Sequence, residues 1–542
     1  MKSNKILFGL LTCLAISSCS DMNEMVPQGA GLTSDQMKEA NENVPSRSEA
    51  TIAGMYSMMG MPDYTLDQGR ADDFGYIMNA ISMDLEASDM CIANSGYNWF
   101  SVCGEYTSRF ANYANPYIRY ASTYNQIKVA NEIITSFPAD VETADGKAKV
   151  GQAKAMRAFD YLSLAPYFQF NYATAKDELC VPLVTENTQD YANNPRATVG
   201  QVYEQIINDL DDAIELLADY DRSGDKARIN QQVAYGLRAR AYLNMGMYAE
   251  AAEDAVKAME GYVPASMEDI STPSFCQLSE ANWIWGINID ASMVLSNGYP
   301  TASSWVSAFS GDGYAAACQC VPFINNLLYD KIPATDARKH WWLDENSYSP
   351  LLETIDWDGN TGIAISNYEI ENLKMKFLPY YNVKFGMKSG IGSEINNSDW
   401  CLMRAEEMIL IQAEGLAMSG REDEAKILLE NFVKQYRDPA YTVSDVRSLQ
   451  DEIWMQRRIE LWGEGFAMND IMRLGKPVVR FHAGKDSNYP EAFRFNMAPT
   501  DGWLLLRFPQ SETNTNLGIV DNKDGVQPVQ DQNGDLRDGV TD

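Results

Sequence analysis

Two kinds of residue in this sequence could do chemistry: a closely spaced carboxylate pair, and aromatic rings set among polar residues. Glu460 and Glu464 lie one helical turn apart. Glycosidase carboxylates flank a cleft and usually come from different segments, so this pair reads as scaffold. His340 and His482 are the two histidines, which leaves little room for histidine metal sites or triads. No catalytic residue is assigned. Three loop-like clusters hold the rings: Asn94–Phe100, Asn297–Tyr314, and His340-Trp341-Trp342 with Trp357. Flat rings stack on the apolar C–H faces of a sugar, while Asn, Asp, Gln and Arg hydrogen-bond its hydroxyls. The candidate ligand contacts are therefore Tyr97, Asn98, Trp99, Tyr299, Trp305 and Tyr314, with Asp72 as an acid beside them. The competing role for any one ring is a core plug beneath a loop. The acids Asp72-Asp73 and Asp84 to Asp89 either face hydroxyls or cap helices.

Metal chemistry is thin. Asp531, Asn533, Asp535 and Asp538 place oxygen ligands near the C-terminus, a weak candidate for a structural calcium ion. The EF-hand spacing and its closing Glu are missing, so a solvated tail is expected, and no other cofactor is implied. Seven cysteines lie beyond the N-terminal segment: Cys91, Cys103, Cys180, Cys276, Cys318, Cys320 and Cys401. They form no CxxC pair and read mostly as small buried hydrophobes.

The elements that must position these residues follow from composition and period. The 542 residues carry 75 acidic and 43 basic side chains, a net charge of −32, which excludes a nucleic-acid partner because phosphate binding needs clustered Lys and Arg. At 45% hydrophobic the chain can bury a large core. Residues 1–18 combine Lys2 and Lys5 with an apolar run from Ile6 to Ile16, too short to span a bilayer, and read as a signal peptide. The segment ends Ile16-Ser17-Ser18-Cys19, which resembles a lipobox and makes Cys19 the lipidated first residue of the mature chain. Residues 19–45 then form the lipidated Cys and a polar tether. No later run approaches 18 consecutive apolar residues.

Helical spacing appears at 122–136, 150–168, and 198–218, the last with Thr198 as N-cap. A hairpin over 230–246 and 248–260 breaks at Gly246. Its residues Ala239, Tyr242, Ala251, Ala255 and Ala258 match Ala413, Leu416, Ala425, Leu429 and Phe432 in offset, with Gly420 at the place of Gly246. That alternation of small and large residues is the tetratricopeptide pattern. Ala158 and Tyr161 give a further first-helix match, paired with 198–218 across an insertion. The stretches 61–117 and 262–400 lack period. In Trp283-Ile284-Trp285-Gly286, alternation predicts a short strand with both rings in the core.

The order of several segments adds a family resemblance. Arg157-Ala158-Phe159-x-Tyr161, Val181-Pro182-Leu183-Val184, Val202-Tyr203, Trp283-x-Trp285-Gly286, Arg404-Ala405-Glu406, Arg457-Arg458-Ile459-Glu460-Leu461-x2-Glu464-Gly465 and Phe508-Pro509-x2-Glu512 run in sequence. Together they resemble the SusD/RagB family of outer-membrane lipoproteins. The resemblance implies a mostly α-helical fold, with tetratricopeptide-like hairpins in a right-handed superhelical scaffold, long irregular excursions and few short strands. It implies one domain over 46–542, with scaffold at about 46–260 and 400–475 and a loop-rich ligand region at about 262–400. It further implies a non-catalytic protein that captures glycan at the outer membrane, which makes the ring-bearing clusters above candidate glycan contacts, and passes it to a SusC-like TonB-dependent transporter. Asp21 and Glu24 resemble a surface-export signal. The alternatives are a peptide ligand within the same family, or an all-helical glycan-degrading enzyme using loop carboxylates. After Gly465 the sequence departs from many relatives: Asp470 and Arg473 remain, but the first Arg and two aromatics do not, and that helix is expected to be structural.

Overall fold

The computed structural model describes residues 46–542 apart from 69, 71, 94–98, 291–292, 294–305, 310–320, 355, 358–359, 362–376 and 392–395. The expected signal peptide, Cys19 and the tether lie outside the described residues.

Helices carry the fold. The main ones are α1 Ser46–Ser57, α2 Tyr76–Glu86, α3 Ala114–Thr135, α4 Ala144–Phe168, α5 Val199–Leu216, α6 Gln231–Met245, α7 Tyr248–Ala258, α8 Ala405–Met418, α9 Glu422–Tyr436, α10 Leu449–Glu460, α11 Ala467–Arg473 and α12 Gln510–Thr515. Side-chain caps set their starts. The Thr143 hydroxyl accepts from Gly146 N, Asn230 from Val233 N and Ser448 from Asp451 N. Thr198 and Gln201 close a reciprocal capping box at α5. Gly246 ends α6 at φ 74°, a left-handed conformation in which a Cβ would be strained.

From α3 to α9 each helix packs on the next, so the two hairpins read from the sequence sit in one continuous array. Gly415 shows why small residues recur there. A Cβ on it would lie 2.5 Å from the Tyr248 carbonyl and 2.8 Å from the Ala252 Cβ, so α7 and α8 touch backbone to backbone.

Four two-stranded antiparallel sheets accompany the helices among the described residues: β1 Met90–Ile92 with β5 Pro322–Ile324, β2 Leu179–Pro182 with β3 Arg196–Thr198, β4 Trp283–Ile287 with β8 Trp400–Arg404, and β6 Asp356–Trp357 with β7 Asn360–Thr361. Trp283 pairs with Arg404, and both Trp283 and Trp285 are fully buried, as alternation predicts.

Three expectations need correction. Helix α2 falls in a stretch that reads as aperiodic, because Ile77 through Glu86 are all buried and a helix enclosed on every side has no polar face to reveal it. Trp341 and Trp342 are core rather than exposed: Trp341 Nε1 donates to the Ile270 carbonyl at 3.1 Å, and Trp342 packs edge-on against Trp462 at 5.5 Å. The C-terminal tail is solvated at Asp531, Asn533 and Asp535, as expected, but its end is docked. Asp538 is buried against Arg458 at 2.7 Å, and Thr541 O meets His482 Nε2 at 3.1 Å.

The heart of the core is ionic. Arg338, Lys384, Arg404 and Arg437 interlock with Asp336, Glu406, Glu460 and Glu464, four cations against four carboxylates, all buried. Asp470 bridges Arg457 and Arg473, and Arg473 reaches Glu414, so the helix after Gly465 is structural. The cysteines 91, 103, 180, 276 and 401 are buried free thiols, while Cys318 and Cys320 lie outside the described residues.

Candidate functional site

Of the residues singled out for glycan contact, Trp99 and Asp72 can be placed; Tyr97, Asn98, Tyr299, Trp305 and Tyr314 lie outside the described residues. The two that are placed converge, and they do so through a residue that sequence reasoning missed. The Arg70 guanidinium lies over the Trp99 ring, 4.7 Å from its centroid. The same guanidinium donates twice to Asp72, Nε to Oδ1 at 3.0 Å and Nη2 to Oδ2 at 2.8 Å. Asp72 is 3% exposed at its side chain and Arg70 20%, so the carboxylate holds the arginine from beneath.

The loop that presents Arg70 is stiff for local reasons. Asp63 N donates to the Asp73 carbonyl at 2.6 Å and closes the loop at its neck. Asp63 and Asp67 both adopt positive φ, near 50°, which Asp tolerates better than most residues. The Asp63 carboxylate accepts from Gln68 N at 3.0 Å and Arg70 N at 3.3 Å. The Asp73 carboxylate accepts from Thr65 N at 2.9 Å and Leu66 N at 2.8 Å; burial nonetheless raises its pKa above the ordinary carboxylate range. Trp99 is half-buried against the core, and the buried Phe100 follows it at the start of the short helix Ser101–Gly104. An indole of fixed orientation, a guanidinium tethered bidentately and a carboxylate beneath it form a surface suited to a ligand with hydroxyls and apolar C–H faces. The one available signal for Arg70 was its i, i+2 spacing from Asp72 at the end of an acid-rich loop.

Known proteins share this architecture. Residues 34–243 match the family described as "Starch-binding associating with outer membrane", and residues 330–525 match the SusD family. The chain belongs to the SusD/RagB family. A curated relative, SusD-like protein P38 of Formosa agariphila, is 31% identical over 101 residues; the match spans 17% of this chain and only 20% of that protein's length. A SusD-like carbohydrate binding protein from Bacteroides vulgatus superposes with a TM-score of 0.68 at 24% identity, over 88% of this chain and 97% of the other. Surface glycan-binding protein A from Bacteroides thetaiotaomicron, solved with laminarihexaose, gives 0.64 at 19% identity over 88% and 99%. At these identities the likeness is one of fold, and it covers the SusD/RagB scaffold nearly end to end.

Other candidates in this SusD/RagB chain resolve differently. The four tail residues offered for calcium do not converge on a common centre. Asp531 pairs with Arg494, Asn533 exchanges amide–carbonyl hydrogen bonds with Asn496, Asp535 is exposed, and Asp538 is held by Arg458. Two of the three carboxylates, Asp531 and Asp538, already face an arginine. Asp84 caps the segment after α10 by accepting from Gly465 N and Ala467 N, and Asp89 pairs with Arg458, so these acids serve the core. Glu460 and Glu464 are taken up by arginine and lysine partners out of reach of solvent, which removes the carboxylate pair that spacing offered for glycosidase work. No described helix is long and apolar enough to cross a membrane.

Proposed function

We infer that this SusD/RagB protein binds oligosaccharide without turning it over, at the outer membrane to which it is anchored through Cys19 facing the cell exterior, and delivers the sugar to a SusC-like TonB-dependent transporter. The observation that carries the reading is the half-buried Trp99 ring beneath an Arg70 guanidinium that Asp72 holds on a braced loop. Stacking gains most when the ring loses little freedom on binding, and the Asp72 tether supplies that preorganisation. The carbohydrate named for two fold relatives supports the ligand class, and the matched family's description supports the membrane association. Tyr97, Asn98, Tyr299, Trp305 and Tyr314 are proposed as further contacts from the same and neighbouring loops.

The test is a glycan array probed with mature protein beginning at Ser20, followed by overnight incubation of each bound oligosaccharide and product analysis. Binding to one polysaccharide family with no released product is the expected result. Product formation overturns the non-catalytic reading, and binding confined to peptides overturns the ligand class. Delivery is tested by co-purification with a SusC-like barrel from native outer membranes.

A further inference from the structure

A second open site lies away from Trp99. A cleft of about 780 Å³ runs between α3 from Tyr120 to Thr135, the segment 182–194 and α12, and neither Arg70, Asp72 nor Trp99 lines it. Its size falls within the range of about 300–1,000 Å³ that small-molecule sites occupy.

The walls are built, not loose. Tyr124 donates its hydroxyl to the Pro182 carbonyl at 2.6 Å, and Asn131 Nδ2 donates to the Val184 carbonyl at 3.1 Å. Val184 N also donates to the Tyr161 hydroxyl at 2.7 Å. The far wall is stitched to this one: Asn194 N donates to Asn516 Oδ1 at 2.9 Å, Asn516 Nδ2 to the Asn194 carbonyl at 2.8 Å, and Leu517 N to the Ala192 carbonyl at 2.8 Å. Below the floor, Arg157 joins Glu186, Asn131 and Asp209.

The lining has a definite chemistry. Tyr120 and Tyr124 stand side by side with ring centroids 4.4 Å apart, and Tyr191 is 60% exposed on the opposite segment. The carboxylates of Glu132, Glu186 and Glu512 also line the cleft, as hydrogen-bond acceptors for hydroxyl donors. Lys128 is the one cation that lines the cleft among the described residues, and it already lies 3.9 Å from Glu132. Excess negative charge repels an anionic ligand, while phenol rings and acceptors suit a neutral, hydroxyl-rich one.

We propose that this cleft is a second binding site, for a neutral oligosaccharide segment, with Tyr191 as its stacking platform. The proposal rests on the glycan-binding reading, so its test separates the two. Wild type, Tyr191→Ala, Thr515→Trp and Trp99→Ala are each probed against an array of neutral and uronic-acid oligosaccharides, with melting temperatures measured in parallel. Tyr191 and Thr515 are both exposed, so neither change touches the core; the tryptophan fills the cleft. The expected result is a loss of about tenfold in affinity for neutral glycans in both cleft variants at unchanged melting temperature. If only Trp99→Ala weakens binding, the cleft is not a glycan site and the primary reading stands. If only the cleft variants weaken it, the cleft is the site and the Trp99 assignment fails. Preference for uronic-acid glycans, peptide binding alone or a blank array overturns the assignment of a neutral oligosaccharide to the cleft.

Discussion

Replacing Glu460 by glutamine probes the buried charge network directly, because the side chain keeps its shape and loses only its charge. Glu460 accepts four hydrogen bonds: from Arg437 Nε and Nη2 at 2.8 Å each, Arg404 Nη1 at 2.8 Å and Arg338 Nη1 at 3.1 Å. Burial by itself would raise its pKa, but the Arg437, Arg404 and Arg338 guanidinium groups outweigh that cost and hold it well below the usual carboxylate range. The substitution leaves four buried cations facing three carboxylates and turns an amide NH2 toward guanidinium donors. Breaking a buried ion pair from one side costs about 3–5 kcal/mol. Unfolding entropy of about 2 cal/mol/K per residue amounts to roughly 1 kcal/mol/K for a chain of this size. The melting temperature should therefore fall by about 3–5 °C at pH 7, read by calorimetry. Because the folded pKa is depressed, the stabilisation is fully present above the unfolded value and is lost as pH falls toward the folded one, so the gap between wild type and E460Q should close in acid. An unchanged melting temperature would refute the claim that this carboxylate balances the core. Loss of oligosaccharide turnover at intact stability would revive a catalytic role.

Trp99→Ala and Arg70→Ala should each weaken oligosaccharide binding by about ten- to thirtyfold in titration calorimetry, with a stability loss well short of the ~3–5 kcal/mol of a fully buried ring. A large unfolding shift with binding intact would return Trp99 to the core. Asp538, held by Arg458 against the penalty of burial, has its pKa lowered to about 2, so its contribution of about 2 kcal/mol is complete above pH 4 and lost on further acidification. The wild-type stability slope between pH 4.5 and 3 should exceed that of Asp538→Asn in urea titrations. Asp84 behaves oppositely: burial raises its pKa to about 7, so the folded state loses stability as pH climbs from 4 to 7, and Asp84→Asn should flatten that decline. Gly415→Ala should destabilise by about 1–3 kcal/mol despite the better helix former, because the added methyl meets the α7 backbone.

How far the sequence discloses the fold depends on where each element's polar residues face. Helix α5 shows itself because Val202, Ile206, Leu210 and Ala213 are buried while Glu204, Asp211 and Asp212 are not, and Thr198 marks its start. The hairpins α6–α7 and α8–α9 show themselves through small residues that let backbones touch and through the glycines that turn them. Helix α2 hides because it is enclosed. The tail hides for a different reason: Asp538 looks like a solvated acid until Arg458, eighty positions earlier, supplies its counter-charge. A buried ion pair has no signature in local composition, since both partners read as surface residues.

The site is legible only in part for the same physical reason. Ring-bearing loops can be recognised by the company of Asn, Gly and Ser, but composition does not separate a platform from a plug. Trp99 and Trp342 both lie in aromatic-rich stretches with polar neighbours, and only packing distinguishes them: one is half-buried beneath Arg70, the other is walled in by Trp341 and Trp462. The cleft is harder still to foresee. Tyr120 and Tyr124 stand one turn apart on α3, Tyr191 comes from a segment without regular structure, and Glu512 comes from the short helix α12 far along the chain. What makes them neighbours is the stitching of Asn194 to Asn516 across more than three hundred residues, two amides that an isolated reading would leave in solvent. The cleft is thus set by long-range polar pairing between segments distant in sequence, with the helical array serving as the frame that brings those segments together.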